Sequence, residues 1–387
     1  MLPMNWKTTA GSTLLALAFT ALLTTGVHAQ TTCSGTLSGT FNNDIVVNGG
    51  ACTLQGAIVN GSVLVSNNGT LTAAGGTQIS GSVQADGAGN ITINNATVLG
   101  DVSLNNSRNV TVGTAATLGV LNLNNSGTIT ARGAINNLLS TGSGAVTING
   151  ATIAAGVSVL QGNGDVRICG GANITGGVNV IERNGGLLAG VGANCGVSTI
   201  NGTVTIEKGT GNVRLLGTIM DGSDLSVIEQ SGNVEVNGVN LSDVKVEKTT
   251  GSVTLTAVTT DSDTAIAEIS GSVTIASSTL GSDVGITTNS AVTLTGNDFT
   301  GEDLFISGGS GAVTLSNNVN ISFSINERNG VTIAGNNFVS ASITKNTGGV
   351  SIVNNTGETL VCVDNSPAPT GSGNTITILA DGQCAGF

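Results

Sequence analysis

Aliphatic side chains recur along the chain at a nearly constant interval, and each recurrence has the same short form. In Val273-Thr274-Ile275 two aliphatic residues flank a polar one, and Val292-Thr293-Leu294 repeats the form one period later. The first position of the form, here called the anchor, is aliphatic or Cys at residues 52, 71, 91, 110, 129, 146, 166, 187, 213, 234, 253, 273, 292, 313, 331 and 350. Such alternation of aliphatic and polar residues, flanked by Gly, Asn and Ser, predicts short β-strands joined by turns.

The period is 17 to 21 residues, apart from a 26-residue step between Leu187 and Val213 that predicts an insertion. About ten residues after each anchor a second strand is predicted, as in Val63-Leu64-Val65 and Val244-Lys245-Val246. Two buried aliphatic groups contribute roughly 3–6 kcal/mol, whereas ordering one period of backbone costs at least ~19 kcal/mol. One coil is therefore unstable alone, and we expect coils to stack about 4.8 Å apart. Tandem β-sandwiches would instead repeat at roughly a hundred residues.

This period resembles that of the right-handed parallel β-helix, the all-β solenoid of pectate-lyase-like enzymes and many bacterial adhesin passengers. The resemblance covers residues 30–387 and implies about sixteen coils with capped ends. Asparagine pairs at predicted turns are similar to the asparagine ladders of that fold, in which side chains satisfy turn backbones. These pairs are Asn67-Asn68, Asn105-Asn106, Asn124-Asn125, Asn317-Asn318, Asn336-Asn337 and Asn354-Asn355.

The two ends of the chain predict export and capping. Residues 1–29 have the form of a signal peptide, with Lys7, an apolar run over 14–23 and cleavage expected after Ala29. The run is too short to span a bilayer, so we expect no membrane insertion. Residues 30–387 are expected to form one domain, in the periplasm, on the cell surface or outside the cell. Its end regions, 30–51 and 359–387, are expected to be caps, and Pro367 and Pro369 would stop edge pairing in the second.

Six cysteines fall in three pairs, each separated by about one coil. Sequential pairing would give the disulfides Cys33–Cys52, Cys169–Cys195 and Cys362–Cys384. The first would lie near the N-terminal end of the solenoid, the second beside the insertion and the third near the C-terminal end. Each would stabilise the fold by ~2–4 kcal/mol in an oxidising compartment. Six cysteines allow fifteen pairings, so the sequence favours this one without proving it. Zinc is disfavoured because the chain has no Cys-x-x-Cys.

Composition excludes several classes of function. Cleavage after Ala29 would remove the only His and the only Trp, and the chain has no Tyr. A chain without histidine lacks the Ser-His-Asp and Cys-His mechanisms and His-ligated metal sites. The formal net charge is −12, and the few Lys and Arg residues occur singly. Nucleic acid is therefore not an expected partner.

The residue after each anchor is expected to point outward, and it is usually threonine. Threonine or serine occupies this column at Thr53, Thr72, Thr92, Thr111, Thr130, Thr147, Thr254, Thr274, Thr293, Thr314, Thr332 and Ser351, with Arg167, Leu188, Arg214 and Glu235 between. A flat threonine rank suggests ice binding. The next outward column provides no second rank, so we interpret the threonines as exposed strand residues.

A second outward column, here called the acidic column, precedes the second strand in five consecutive coils. It consists of Asp224, Asp243, Asp263, Asp283 and Asp303. Carboxylates about 4.8 Å apart repel by ~1 kcal/mol in water and ~3.5 kcal/mol at an effective dielectric of 20. Calcium bridging would offset this repulsion and makes the column a candidate metal site. Turn capping by each carboxylate is the structural alternative.

An enzyme of the polysaccharide-lyase or hydrolase type would need its charged groups gathered on one face. The best candidates are Lys245 and Lys248 beside Asp243, without an aromatic platform for sugars. The Glu-Arg and Glu-Lys pairs 182–183, 207–208, 247–248 and 327–328 are interpreted as solvated turn pairs. The sequence thus predicts a non-catalytic exported structural, surface, matrix or adhesive protein. The alternative is a glycan-binding or lyase-like protein with a calcium-dependent acidic face, and an extracellular glycan or cell-surface component would be the partner.

Overall fold

The chain forms a parallel β-solenoid of about 18 turns without α-helices in the residues that the structure describes. The structure is a computed structural model, and it describes residues 29–192 and 195–387. The predicted all-β parallel β-helix is confirmed, with two turns more than the sixteen anchors. In the first extra turn Gly35 pairs with Cys52, and in the last Thr370 pairs with Ser351. Neither turn has an aliphatic anchor, so the repeat pattern missed both.

Each turn crosses three faces in the order A, B, C. Face A holds the anchor strands: β2 (Gly35–Phe41), β4 (Ala51–Val59), β6 (Thr70–Ala74), β9 (Ile91–Ile93), β12 (Val110–Val112), β14 (Ile129–Ala131), β16 (Val146–Asn149), β18 (Val166–Cys169), β21 (Leu187–Ala189), β24 (Val213–Leu216), β26 (Val234–Asn237), β29 (Val253–Thr256), β32 (Val273–Ala276), β35 (Val292–Thr295), β37 (Val313–Ser316), β39 (Val331–Ala334), β41 (Val350–Val353) and β43 (Thr370–Ser372). The strands β2 and β4 bend onto face B.

Face B is short, and in several turns it is part of a longer bent strand. Its separate strands are β7 (Thr77–Ile79), β10 (Ala96–Val98), β19 (Asn173–Ile174), β22 (Thr199–Ile200), β27 (Asn240–Leu241), β30 (Thr259–Thr260) and β33 (Thr279–Leu280). This face was not foreseen, because two inward residues between turns leave little periodicity to detect in the sequence.

Face C holds the second predicted strand of each coil. Its strands are β1 (Gln30–Thr32), β3 (Asp44–Asn48), β5 (Val63–Ser66), β8 (Val83–Asp86), β11 (Val102–Asn105), β13 (Thr117–Asn124), β15 (Ala134–Thr141), β17 (Thr152–Leu160), β20 (Val178–Ile181), β23 (Val204–Glu207), β25 (Leu225–Ile228), β28 (Val244–Glu247), β31 (Thr264–Ala267), β34 (Val284–Thr287), β36 (Asp303–Ser307), β38 (Ile321–Asn326), β40 (Asn337–Thr344), β42 (Thr356–Val363) and β44 (Thr375–Gly382). The strands β13, β15, β17, β38, β40, β42 and β44 begin on face B.

Equivalent residues of successive turns lie directly above one another. Val253 pairs in parallel register with Val273, and Thr254 pairs with Thr274. Both valines are completely buried, whereas the two threonines are partly exposed. Aliphatic side chains therefore form continuous files inside the solenoid, as the alternation predicted.

Glycine occurs two residues before the anchor in thirteen of the sixteen coils, at the corner between faces C and A. The reason is close approach between turns. A Cβ placed on Gly271 would come within 2.6 Å of the carbonyl carbon and oxygen of Gly251 one turn earlier. The Gly-x-anchor pattern is visible in the sequence, but its steric cause appears only when the turns are stacked.

Asparagines form a buried ladder at the corner between faces A and B in the last third of the solenoid. Asn318 donates from Nδ2 to the Leu294 carbonyl at 3.0 Å and to Asn336 Oδ1 at 2.9 Å. Its own Oδ1 accepts the backbone N–H of Asn297 at 3.1 Å. Asn355 continues the ladder, so the prediction is confirmed for three of the six pairs.

The other three asparagine pairs lie at an exposed corner and do not form the buried ladder. Asn124 Nδ2 still donates to Asn105 Oδ1 one turn earlier at 3.0 Å, and Asn105 Nδ2 donates to Asp86 Oδ1 at 2.9 Å, so these side chains also stack from turn to turn. Asn67, Asn68, Asn106 and Asn125 adopt positive φ and turn the chain at the corner between faces C and A. The left-handed conformation suits asparagine better than most residues.

Three disulfides join the cysteines in the predicted pairs, Cys33–Cys52, Cys169–Cys195 and Cys362–Cys384. Their Cα–Cα distances of 5.5, 4.7 and 5.4 Å suit the bond. Cys195 lies in the predicted insertion, which leaves the solenoid after β21 and rejoins it at β22. Such a set of disulfides is typical of proteins that fold in an oxidising compartment.

The predicted signal peptide falls almost entirely on residues 1–28, which lie outside the described residues. Strand pairing extends into both predicted end regions, through β1 and β2 at one end and β43 and β44 at the other. A search of the described residues found no helix that is both long and apolar enough to cross a membrane.

Candidate functional site

The acidic column lies where face B turns into face C, and its five members occupy the same position in consecutive turns. The strands that follow them pair in register, Leu225 with Val244, Val244 with Thr264, Thr264 with Val284 and Val284 with Leu304. Backbone hydrogen bonds between successive turns are also formed here. For example, the N–H of Val244 donates to the Asp263 carbonyl at 3.1 Å. The sequence thus placed Asp224, Asp243, Asp263, Asp283 and Asp303 together correctly.

Capping hydrogen bonds offset part of the repulsion in the column. Asp283 Oδ1 accepts the backbone N–H of Asp303 at 3.3 Å, and Asp263 Oδ1 accepts the hydroxyl of Ser282 at 2.7 Å. Near the other end of the solenoid, Asp44 Oδ1 accepts the N–H of Ser62 at 2.8 Å in the same column. A carboxylate at this corner therefore caps the next turn, which is the structural role weighed above.

Asp243, near the middle of the column, has a raised pKa. Partial burial is the largest cause, followed by the charges of Asp224 and Asp263, and a hydrogen bond from the Asp263 backbone opposes both. The ionised form of Asp243 is thus disfavoured in the folded protein. Its carboxyl binds a proton more tightly in the folded than in the unfolded chain, so lowering the pH should favour folding at this site.

We expect Asp243→Asn to raise the melting temperature at pH 7, where the carboxylate of the wild type is ionised and repelled. The gain should shrink as the pH falls through the folded pKa, and it should vanish below the unfolded pKa of roughly 3.9, where the wild-type carboxyl is also neutral. Thermal unfolding of both proteins between pH 3 and 7 measures this. Glu358→Gln, on an exposed side chain outside the column, is the matched control. A lower melting temperature for Asp243→Asn at pH 7 would contradict the prediction.

Within residues 29–192 and 195–387, no group of three or more His, Cys, Asp or Glu side chains could hold a metal ion. Calcium bound in the acidic column would have to use carboxylates in pairs, with backbone carbonyls or water as the remaining ligands. Calcium binding by the column stays a prediction.

Two shallow depressions adjoin the acidic column on the side of the N-terminal turns. The first has a volume of about 290 Å³ and is lined by Asn137, Leu139, Ala155, Gly156, Val157, Ser158, Gly177, Val178, Asn179, Thr203 and Thr205. The second, of about 280 Å³, is lined by Asn201, Gly202, Thr203, Asp221, Gly222, Ser223 and Asp224. Both are lined by Thr203, and the second reaches the acidic column at Asp224. The two depressions are here called the face-C trough.

Glycines open the face-C trough. Gly156 and Gly177 occupy the corner position that Asp224 fills later in the solenoid, as the pairing of β17, β20, β23 and β25 shows. A Cβ on Gly177 would lie 2.5 Å from the Thr203 carbonyl oxygen. Close backbone approach therefore requires small residues, and a floor of glycine between Asn, Ser and Thr side chains is the result. The spacing of these glycines in the sequence gave no indication of a shared surface.

Lys245 and Lys248, the lysines proposed for an enzymatic site, form ion pairs with glutamates. Lys245 Nζ lies 3.3 Å from Glu247, and Lys248 Nζ lies 3.6 Å from Glu229 one turn earlier. Neither lysine lines the face-C trough. Two further pairs, Glu182 with Lys208 at 3.3 Å and Arg214 with Glu235 at 2.6 Å, bring the ion pairs among the described residues to four. Three of the four join neighbouring turns rather than neighbours in sequence.

Two arginines that the sequence placed in solvent are buried. Arg183 and Arg328 are 1% and 0% exposed, so their interpretation as members of solvated turn pairs is wrong. Arg183 donates to the carbonyls of Gly164 at 2.6 Å, Gln161 at 2.8 Å and Asn163 at 3.0 Å, and also to Gly144. Each arginine follows a residue with positive φ that turns its side chain inward.

Arg328 binds the preceding turns in the same way as Arg183. Its guanidinium donates to the carbonyls of Thr288, Gly308 and Ser290. Burial lowers the pKa of both arginines, and the charge of Asp165 opposes the shift at Arg183. The guanidinium group is protonated in proteins at ordinary pH, so each arginine is a buried cation. Their role is structural, since both guanidinium groups donate to backbone carbonyls of preceding turns, although Arg328 Nε has no hydrogen-bond partner.

The outward threonines of face A lie above one another in register, as predicted. Their column is interrupted by four other residues in the middle of the solenoid. Arg167 pairs with Leu188, Leu188 with Arg214, and Arg214 with Glu235. The insertion, the central disulfide, Arg183 and the face-C trough lie in the same group of turns. Insertions in repeat proteins map to loops on one face, often the binding face.

Comparison of the chain with protein-family models, with curated proteins and with solved structures found no match in any of the three.

Proposed function

We propose that the protein is an exported, rigid structural rod that serves as a surface, matrix or adhesive element. One observation carries the proposal, the uninterrupted parallel pairing of successive turns from β1 to β44. About 18 turns at the strand spacing give a rod roughly 85 Å long. A solenoid of this kind presents long, regular outer faces and needs no catalytic group to do so.

The three disulfides support a role outside the cytoplasm. Disulfides tie turns together near both ends and beside the insertion, which resists fraying of the solenoid. On face A, one outward column consists largely of threonine, a side chain that suits an exposed strand. Expression of the full chain in a bacterial host, followed by fractionation and N-terminal sequencing, tests export. We expect an exported product that begins at Gln30, and a cytoplasmic product that retains residues 1–29 would contradict the proposal.

A second candidate function is binding of an extracellular glycan at the face-C trough, assisted by calcium at the acidic column. The trough favours it, because Asn137, Ser158, Asn179, Thr203 and Thr205 offer amide and hydroxyl groups to a hydroxyl-rich chain. Asn179 Oδ1 is buried there without a hydrogen-bond partner. A ligand hydroxyl that reached it would relieve the cost of an unpaired acceptor.

One experiment separates the structural, binding and lyase-like functions. The mature protein is incubated with neutral and acidic polysaccharides, with and without calcium, and both retention and chain cleavage are measured. The structural role predicts no cleavage and no saturable binding at the trough. Saturable binding that Ser158→Trp abolishes would establish the second candidate instead. The control is Ser103→Trp, which lies in the same outward column of face C and should preserve that binding. Release of unsaturated or shortened sugars would contradict both.

A further inference from the structure

Nine asparagines are followed directly by glycine, a dipeptide in which the asparagine side chain is prone to spontaneous deamidation. They are Asn48, Asn60, Asn68, Asn149, Asn163, Asn184, Asn201, Asn237 and Asn329, and all lie among the described residues. In this reaction the backbone nitrogen of the glycine attacks the side-chain carbonyl carbon of the asparagine. Glycine favours the attack because it has no Cβ and leaves the backbone free to rotate. The reaction therefore requires that neither the glycine N–H nor the asparagine side chain is held elsewhere.

The folded structure holds the glycine N–H in six of the nine sites. The N–H of Gly202 donates to Ser223 Oγ at 2.9 Å. The other five donate to backbone carbonyls at 2.9–3.1 Å, and they belong to Gly49, Gly69, Gly150, Gly164 and Gly238. A nitrogen held in this way must first break its hydrogen bond before it can attack.

In two further sites the structure holds the asparagine side chain. Asn60 Nδ2 donates to Asn42 Oδ1 at 2.6 Å. Asn184 Nδ2 donates to Asn163 Oδ1 at 3.3 Å, and its Oδ1 accepts the hydroxyl of Thr210 at 2.7 Å. Both side chains are tied to neighbouring turns, so eight of the nine sites are protected.

Asn329 is the one site of the nine in which neither group is held. It is exposed at the corner between faces C and A, and among the described residues no hydrogen bond involves its side chain or the N–H of Gly330. Both groups border the same open space. An added Cβ on Gly348, one turn later, would collide with Asn329 Oδ1 and with the Gly330 nitrogen.

The N–H of Gly330 lacks an acceptor because of the residue one turn earlier in the column that precedes the anchors. Polar side chains in this column accept the N–H of the next turn, as Asn233 Oδ1 does from Ser252 at 2.9 Å and Ser252 Oγ does from Ser272 at 3.2 Å. Ala312 occupies the column before Gly330, and its Cβ lies 3.8 Å from an added Cβ on Gly330. Alanine has no side-chain acceptor, so this N–H stays unpaired.

We propose that Asn329 is a site of spontaneous modification, at which the folded protein converts asparagine into aspartate and isoaspartate. The Gly330 nitrogen forms a bond to Cγ of Asn329 while the bond from Cγ to Nδ2 breaks, and ammonia leaves with the proton of the Gly330 N–H. Water then opens the cyclic imide at one of its two carbonyls. Each product carries one new carboxylate, and isoaspartate also adds a methylene group to the main chain.

The new methylene group would lie directly before β39, in a part of the solenoid with strict register. The strand β39 pairs residue by residue with β37 on one side and with β41 on the other. A longer main chain at this corner should disturb that register, so the modification alters the structure as well as the charge. Because the reaction needs no enzyme, the modified fraction should increase with the age of the molecule.

Peptide mapping by mass spectrometry tests the proposal on the full chain, incubated in the folded state in mildly alkaline buffer. Asn329 should deamidate faster than each of the other eight sites by about fivefold or more, the factor that corresponds to the net free energy of one hydrogen bond. This preference should disappear in denaturant with the disulfides reduced. Equal rates in the folded chain would overturn the proposal. So would the same preference in the unfolded chain, since the local sequence would then be its cause.

A matched pair of variants tests the role of the missing acceptor. Ala312→Asn should supply an acceptor for the Gly330 N–H and slow deamidation of Asn329 by about fivefold. Ala291→Asn is the control, since Ala291 is an exposed alanine one turn earlier in the same column, and it should leave the rate at Asn329 unchanged. A folded Ala312→Asn protein that deamidates at Asn329 as fast as the wild type would contradict the proposal.

Ser223→Ala tests the converse at a protected site. It removes the acceptor of the Gly202 N–H, so deamidation of Asn201 should become faster by about fivefold. Circular dichroism checks that all three variants are folded. An unchanged rate at Asn201 in folded Ser223→Ala would mean that hydrogen bonding of the glycine N–H does not control the reaction, and the proposal would fail.

Discussion

Replacing Arg183 with methionine should destabilise the solenoid by about 3–5 kcal/mol, although methionine fills much of the same space. The guanidinium donates to carbonyls in two preceding turns, Gln161, Asn163 and Gly164 in one and Gly144 in the other. Removing it leaves those buried acceptors without a donor, at a cost of roughly 1–3 kcal/mol for each one that water cannot reach. Relief of the desolvation of a buried charge offsets part of this cost. Chemical unfolding with intact disulfides measures the difference.

The matched control for Arg183→Met is Arg132→Met, because Arg132 is exposed on the outer surface. Its effect should stay within about 0.5 kcal/mol. Equal stabilities for Arg183→Met and the wild type would mean that the carbonyls are satisfied in another way, and the interpretation of the buried arginines as internal ties would then be wrong.

Replacing Gly271 with valine should cost about 3 kcal/mol, since the new side chain would be forced into the backbone of the preceding turn. The Cβ position lies 2.6 Å from the carbonyl carbon and oxygen of Gly251, and backbone is unable to yield as a flexible side chain does. Forcing extra atoms into a well-packed site typically costs 1–3 kcal/mol and occasionally more. The melting temperature and the midpoint of chemical unfolding both report the effect.

Gly285→Val is the control for Gly271→Val. Gly285 lies at an outward position of β34, and an added Cβ there would meet no atom within 4 Å. Valine at this position should be neutral or stabilising by up to ~1 kcal/mol, because β-branched residues suit strands. If both glycines tolerated valine equally, the turns would not approach as closely at the corner between faces C and A as the structure shows.

The fold was predictable because a single rule, two inward aliphatic residues per strand, operates in almost every turn. The prediction failed at the turns and strands that do not follow this rule. The turns of Gly35 and Thr370 lack an aliphatic anchor, and the short strands of face B alternate over too few residues to be recognised. The disulfides were predictable because stacked turns bring residues one period apart into contact.

The candidate site was predictable only in part, for a physical reason. Five aspartates that recur at the period of the turns must lie above one another once the turns stack. Both the spacing of the aspartates and the period of the turns can be read from the sequence. The face-C trough depends on close backbone approach at Gly156 and Gly177, which no local pattern indicates. Arg183 and Arg328 resemble solvated turn residues in sequence. They are buried because the residue before each has a positive φ, which directs the arginine side chain inward, and the sequence does not show this backbone conformation.

The central claim is that turns one period apart lie directly above one another, and a pair of engineered cysteines tests it most directly. Thr254 and Thr274 point outward from adjacent turns in register, whereas Thr293 lies one turn further along the same column. The double variant Thr254→Cys and Thr274→Cys should form a disulfide under mild oxidation, because neighbouring strands lie about 4.8 Å apart. The variant Thr254→Cys and Thr293→Cys, with twice that separation, should stay reduced at these positions. Failure of the first pair to link, or equal linking of both pairs, would contradict the stacked solenoid.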